Sequence, residues 1–261
     1  MLARLRDFAL GGFLGAALLA PLPATAQADE EPLPRFEDAL CPGVVGLKRE
    51  AAEAMVGRLR ANAEMLGLRM AENGDCEANF IVAFVSDGQA FLSQLEDRSG
   101  HVFAEMSREE RVALMAETGP ARAMLRVRAR SRDGMPISRR ENLTDLPQAT
   151  MWMAHSKIYS ATRNDILSAL VLFDRDEISG LNLDQLADYA TFRGLVHELP
   201  DPAASGQSSI LALFEGGSAH PEGLTEFDRA YLEQLYSGMA NLPAPAKLAD
   251  LSHATGVDVA E

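Results

Sequence analysis

The chain reads as a single α+β domain, a mixed, curved sheet of about four to five strands with helices on one side. Three observations predict it. Amphipathic stretches with apolar residues at three- and four-residue steps recur between short apolar runs rich in β-formers. The apolar fraction of 47% supports a full hydrophobic core. No internal repeat or low-complexity tract divides the chain.

The N-terminal segment predicts export. Arg4 and Arg6 form a short positive region, Phe8 to Leu22 is apolar apart from its glycines and Pro21, and Ala26-Gln27-Ala28 is a small-x-small cleavage site, so residues 1–28 read as a signal peptide. The apolar run falls short of the ~20 residues that span a bilayer, and no cysteine stands at the cleavage point to take a lipid. The expectation is a periplasmic or secreted protein with no membrane anchor.

Residues 1–28 carry Arg4, Arg6 and Asp7, so their removal takes the formal charge from −14 to −15. Such a surface repels nucleic acid and anionic lipid, and no nucleic-acid partner is expected. Cys41 and Cys76 are the two cysteines, and in an oxidising compartment an isolated pair predicts a disulfide. By the chain-entropy relation a loop of that size contributes roughly 4 kcal/mol. A thiolate nucleophile or metal site would want a Cys-x-x-Cys spacing or a nearby histidine, which the sequence lacks.

The elements follow in order. Residues 29–44 form a leader, acidic and proline-bearing over 29–36, that stays extended, and the domain occupies 45–245. Ala52, Met55, Val56, Leu59, Ala63 and Leu66 mark a helix from Lys48 to Leu68, and Asn79 to Val85 reads as a buried strand. The disulfide would therefore staple the first helix to the sheet. Ser107-Arg108-Glu109-Glu110 is a capping box opening a helix through Ala116. Ala123 to Arg130 alternates apolar and cationic side chains as a half-exposed strand does, and 131–150 reads as a long surface loop. Strands are expected around Ala154 to Tyr159 and Asp165 to Phe173, then a helix from Leu183 to Leu199 stopped by Pro200 and Pro202. Thr225-Glu226-Phe227-Asp228 is a second capping box, for a helix through Tyr236, and 246–261 forms a C-terminal tail.

Catalytic motifs are scarce. The sequence has no Gly-x-Gly-x-x-Gly, no phosphate loop and no Gly-x-Ser-x-Gly elbow; Gly206-Gln207-Ser208-Ser209 lacks the second glycine. His197-Glu198-Leu199-Pro200-Asp201 begins like the zinc-binding His-Glu-x-x-His motif, which needs two ligands four apart on one helix face. Pro200 breaks that face, so His197 reads as a polar residue at the favourable negative end of a helix. The metal-ligand candidates are His197 with Asp201 or His220; His101, His155 and His253 are isolated in sequence. No catalytic residue and no cofactor is assigned.

Gly194-Leu195, Leu224-Thr225-Glu226-Phe227-Asp228 and Leu235-Tyr236, in this order of elements, give the chain its likeness. Over roughly residues 45–240 it resembles exported bacterial proteins of unknown function related to zincin-fold metallopeptidases. In that group a buried helix carries His-Glu-x-x-His followed closely by Gly-Leu, and a later Leu-Thr-x-x-Asp helix ends in Leu-Tyr. Registering Gly194-Leu195 on that Gly-Leu puts Ala187 and Thr191 where the two histidines would fall and Asp188 where the glutamate would. The resemblance thus implies a degenerate zincin-like scaffold that has lost its metal, with Ala187, Asp188 and Thr191 lining a groove for an unknown protein or peptide partner. An exported, non-catalytic binding or envelope-associated protein is the leading expectation. An active metal-dependent peptidase with atypical ligands and a structural or assembly factor of the cell envelope are the alternatives.

Overall fold

A computed structural model describes residues 31–72, 76–137, 156, 158–215 and 220–255. The signal-peptide segment and most of the expected 131–150 loop lie outside them. The secondary structure is α+β, built on a mixed four-stranded sheet.

The sheet runs in the order β1 (Pro42–Val45), β2 (Phe80–Val85), β4 (Thr162–Asp174), β3 (Ala121–Ser131). The first three are parallel neighbours and β3 pairs antiparallel with β4, slipping at a bulge between Arg126 and Val127. Parallel neighbours require a crossover. Helix α1 (Arg49–Met65) supplies it between β1 and β2.

The helices cover both faces of the sheet, which corrects the expectation of one. Successive side chains of a strand point to opposite faces. Val82, Phe84, Val171 and Phe173 join a core with α1, α4 (Leu183–Leu195) and α5 (Glu226–Tyr236). Ala83, Leu172 and Met124 join a second, smaller core with Leu92 of α2 (Gly88–Ser99), Phe103 of the following 3₁₀ turn and Leu114 of α3 (Arg108–Ala116). The unbroken apolar run Leu170-Val171-Leu172-Phe173 is what a strand buried on both faces requires.

The leader is part of the core. Leu33, Phe36 and Leu40 are buried, and Arg35 exchanges backbone hydrogen bonds with Asn164 and Ile166 at the start of β4. Its guanidinium donates to the carbonyls of Leu235, Ser237 and Gly238 at the end of α5, where a cation meets the negative end of the helix dipole. The segment read as a C-terminal tail carries α6 (Ala244–Thr255), which packs on α5.

Cys41 and Cys76 form a disulfide with Cα atoms 6.1 Å apart. It joins the chain just before β1 to the chain just before β2, closing the crossover through α1. Asn79 holds the same corner: its Oδ1 accepts from Cys41 N and its Nδ2 donates to Ala39 O.

Two other expected boundaries move. Ser156, Ile158 and Tyr159 are not in a strand, because Ser156 Oγ accepts from the backbone N–H of both Ile158 and Tyr159 and withdraws them from a ladder. Ala154, His155 and Lys157 lie outside the described residues. Helix α4 stops at Leu195 rather than Leu199: Val196 is extended, and Tyr236 Oη donates to the carbonyl of Leu195. His197 therefore stands on the chain leaving the helix.

Candidate functional site

Helix α4 is the buried centre of the molecule, with every residue from Gln185 to Leu195 packed inside. Ala187 and Asp188 are fully buried and Thr191 is 2% exposed, so the three line no groove. The reason is α1, which lies across them. Arg58 of α1 grips Asp188 in a bidentate pair, Nε to Oδ1 at 2.8 Å and Nη2 to Oδ2 at 2.7 Å. Asn62, one helical turn on, donates to both Asp188 Oδ1 and Thr191 Oγ1. Leu224 N closes the ring on Asp188 Oδ2, and Thr191 Oγ1 turns back to Ala187 O.

Burial works against the charged form of Asp188, but the hydrogen bonds from Arg58, Asn62 and Leu224 N outweigh it and hold the carboxyl below the usual aspartate range. All its lone pairs are engaged. It anchors α4 to α1 and to the chain entering α5.

These residues do not fit the metal that a metallopeptidase scaffold implies. Alanine has no donor atom, the Thr191 hydroxyl is already bonded twice, and Asp188 is saturated by four donor contacts. Nor do His197, Asp201 and His220 gather: among the described residues no three of His, Cys, Asp and Glu are placed to hold a metal ion. Asp201 is exposed and accepts from Ala204 N in the short 3₁₀ turn Ala203–Ser205, and His220 is exposed.

Asp228 of the Leu-Thr-x-x-Asp segment is likewise structural. It completes the capping box with Thr225 and accepts from Ser209 Oγ at 2.6 Å and Ile210 N at 2.7 Å, fixing the 3₁₀ turn Ile210–Phe214 against α5.

His197 does reach a site, on the opposite side of α4. A pocket of about 390 Å³ opens between α3, the edge strand β3 and the end of α4. Its polar rim is Glu110, Glu117, Arg193 and His197. Met106, Ala113, Leu114, Ala116, Ala123 and Leu125 complete its lining. Glu110 comes from the first turn of α3, where its carboxylate also completes the Ser107 capping box. Burial opposes its ionisation, while hydrogen bonds from Ser107 and the nearby His197 more than compensate and lower its pKa. His197 Nε2 lies 3.1 Å from Glu110 Oε1, and Arg193 Nη2 donates to Glu117 Oε1. His197 Nδ1 and Arg193 Nε, both buried, have no hydrogen-bond partner among the described residues.

Of the polar residues of this pocket the sequence singles out His197 as a site candidate, and for a different reason, as a metal ligand. Glu110 was legible as a helix cap, whereas Glu117 and Arg193 carry no local motif. Glu117 and Arg193 lie 76 residues apart, and their convergence depends on the chain folding α3 over the β3 edge. Comparison with protein-family models, with curated proteins and with solved structures returned no match.

Proposed function

We propose that this protein is an exported, non-catalytic binding protein, built on a metallopeptidase-like scaffold whose metal-bearing helix has become a structural core, with the pocket at the β3 edge as its binding site for a peptide or protein partner. The observation that carries the reading is the closure of α4. Its candidate chemical positions are sealed under α1, and Asp188 spends every lone pair on Arg58, Asn62 and Leu224 N.

Three further features support it. The Cys41–Cys76 disulfide suits an oxidising compartment. Among the described residues no helix is long and apolar enough to cross a membrane. The pocket, at about 390 Å³, falls in the ordinary range for ligand sites, and its lining combines apolar residues with a few polar groups.

The experiment is metal analysis and a general peptidase assay on protein purified without chelator, alongside His197→Ala. Substoichiometric metal and no cleavage in either protein is the expected result. Stoichiometric zinc that disappears together with proteolysis in His197→Ala would overturn the proposal.

A further inference from the structure

Strand β3 ends the sheet, and its register fixes which backbone groups it turns away from β4. In an antiparallel pair, facing residues alternate between those bonded across and those turned outward. Just before the strand, Pro120 O accepts from Asp174 N, so Arg122, Met124 and Arg126 turn to β4 while Ala123 and Leu125 turn outward. Beyond the slip, Arg132 N donates to Ala161 O, which turns Val127 and Ala129 outward as well. The outward N–H of Ser131 bonds to Met135 O, and the open stretch stops there in the protein's own hairpin. Ala123 and Val127 are partly exposed and Ala129 is exposed. Among the described residues the outward N–H and C=O groups of Ala123, Leu125, Val127 and Ala129 have no partner.

Donors and acceptors that repeat at every second residue match the backbone of another extended chain. The pocket lies on the same edge, since Ala123 and Leu125 line it together with Leu114 of α3, and it suits an aliphatic side chain of that chain. Charge narrows the partner further. Arg122 is paired with Asp174, Arg128 with Glu105, and Arg130 with Asp38 and Asp165. Arg126, partly exposed, has no ion pair among the described residues and favours a carboxylate on the strand beside it. A second copy of this chain fits less well. Arg122, Arg126, Arg128 and Arg130 share one parity, so antiparallel self-pairing through the outward residues sets arginine opposite arginine in its central registers.

We propose that the outer edge of β3 binds an extended peptide as an added strand, with an aliphatic side chain in the pocket and a carboxylate beside Arg126. The assignment rests on the binding-protein reading and names the form and chemistry of the partner.

The test is amide hydrogen exchange followed by NMR on the full chain, free and with the capped peptide acetyl-Val-Glu-Val-Glu-Val-Glu-Val-amide. In the free protein Ala123, Leu125, Val127 and Ala129 should exchange quickly and Met124 and Arg128 slowly, and saturating peptide should slow the first set about tenfold or more. Two further peptides carry N-methyl groups, one on every valine amide and the other on every glutamate amide. An added strand turns alternate amides to β3, so one of them should lose binding and the other keep it. Val127→Pro deletes an outward N–H without touching the ladder to β4, which an edge strand tolerates, and should abolish binding. Arg126→Glu should shift the preference from the glutamate peptide to its lysine counterpart by about fivefold. Equal effects of the two methylated peptides, or protection that does not alternate along β3, overturn strand addition and leave the pocket a binding site. A lysine peptide bound as tightly as the glutamate peptide by the wild type overturns the acidic partner. A dimer of the free protein that Val127→Pro dissociates overturns the proposal in favour of a second copy. Binding of none of the peptides overturns it too, while the metal and peptidase assay still judges the wider reading.

Discussion

Arg58 of α1 and Asp188 of α4 meet through two parallel hydrogen bonds, 2.8 and 2.7 Å, with the aspartate side chain fully buried and the arginine side chain 41% exposed. The pair is asymmetric: arginine keeps part of its hydration, aspartate none. Gly223 belongs to the same arrangement, since a Cβ there would stand 2.6 Å from Asp188 Oδ2.

Replacing Asp188 by asparagine preserves the shape and reverses the chemistry, because an amide nitrogen would face donors from Arg58, Asn62 or Leu224. The expected cost is about 2–4 kcal/mol, below the full penalty of a buried pair because Arg58 is partly solvated. The folded pKa of Asp188 is depressed, so its contribution is present above the unfolded value near 3.9 and is lost as pH falls through the folded value. Urea denaturation of the two proteins should therefore give a gap that is constant near neutrality and shrinks below about pH 4. A gap independent of acid would mean that Asp188 is not stabilising α4 through its charge.

Much of the fold was legible because it is written locally. Ser107 with Glu110 and Thr225 with Asp228 each announce a helix within four residues, and both capping boxes form. Asn79–Val85 announced β2 by its apolar run. What escaped was masked by competing local signals. Pro42-Gly43 reads as turn chemistry, yet proline is tolerated where β1 starts at the sheet edge. Helix α2 hides its face in Phe91, Leu92 and Leu95 among polar residues, although Asp87 caps it by accepting from Ala90 N. The candidate site was less legible still. Arg58 and Asn62 each lie more than 120 residues from Asp188, and no pattern within a window reports that the carboxylate read as a groove residue is the centre of a closed network.

Lys247 gives a prediction at the alkaline end. Its side chain is 4% exposed and donates to the carbonyls of Ser237 and Met239 beyond α5. Burial, reinforced by the neighbouring Arg35 charge and partly offset by Glu37, lowers its pKa to about 8. The unfolded value lies near 10.4, so between those two points the unfolded chain binds the extra proton and stability rises with pH. The rise is roughly 2–4 kcal/mol over that interval. Burial raises the pKa of Tyr231 and Tyr236, which erodes stability above about pH 10, so the measurement is the difference between wild type and Lys247→Met. Wild type should gain on the variant from pH 8 to 10. Parallel stability curves would count against a buried ammonium.

Gly194, half of the Gly-Leu pair used to register the sequence on a metallopeptidase helix, has a packing reason that owes nothing to a metal. A Cβ at that position would stand 2.5 Å from the ring of Phe80, at the start of β2, and 3.5 Å from Ala169 Cβ on β4. Phe80 is 1% exposed, so its ring has no room to retreat. Gly194→Ala gains helix propensity worth just under about 1 kcal/mol and meets an overpacking cost of about 1–3 kcal/mol, so a net loss of stability is expected. Phe80→Leu makes the discriminating background. On its own it costs about 1–2 kcal/mol in a well-packed core, but it removes the atoms with which the new methyl collides. The double variant should then be more stable than the sum of the single losses, by an interaction of about 1 kcal/mol or more in urea denaturation. Strict additivity would mean that Phe80 is not what holds residue 194 to glycine, and the close seating of α4 on the sheet would need another cause.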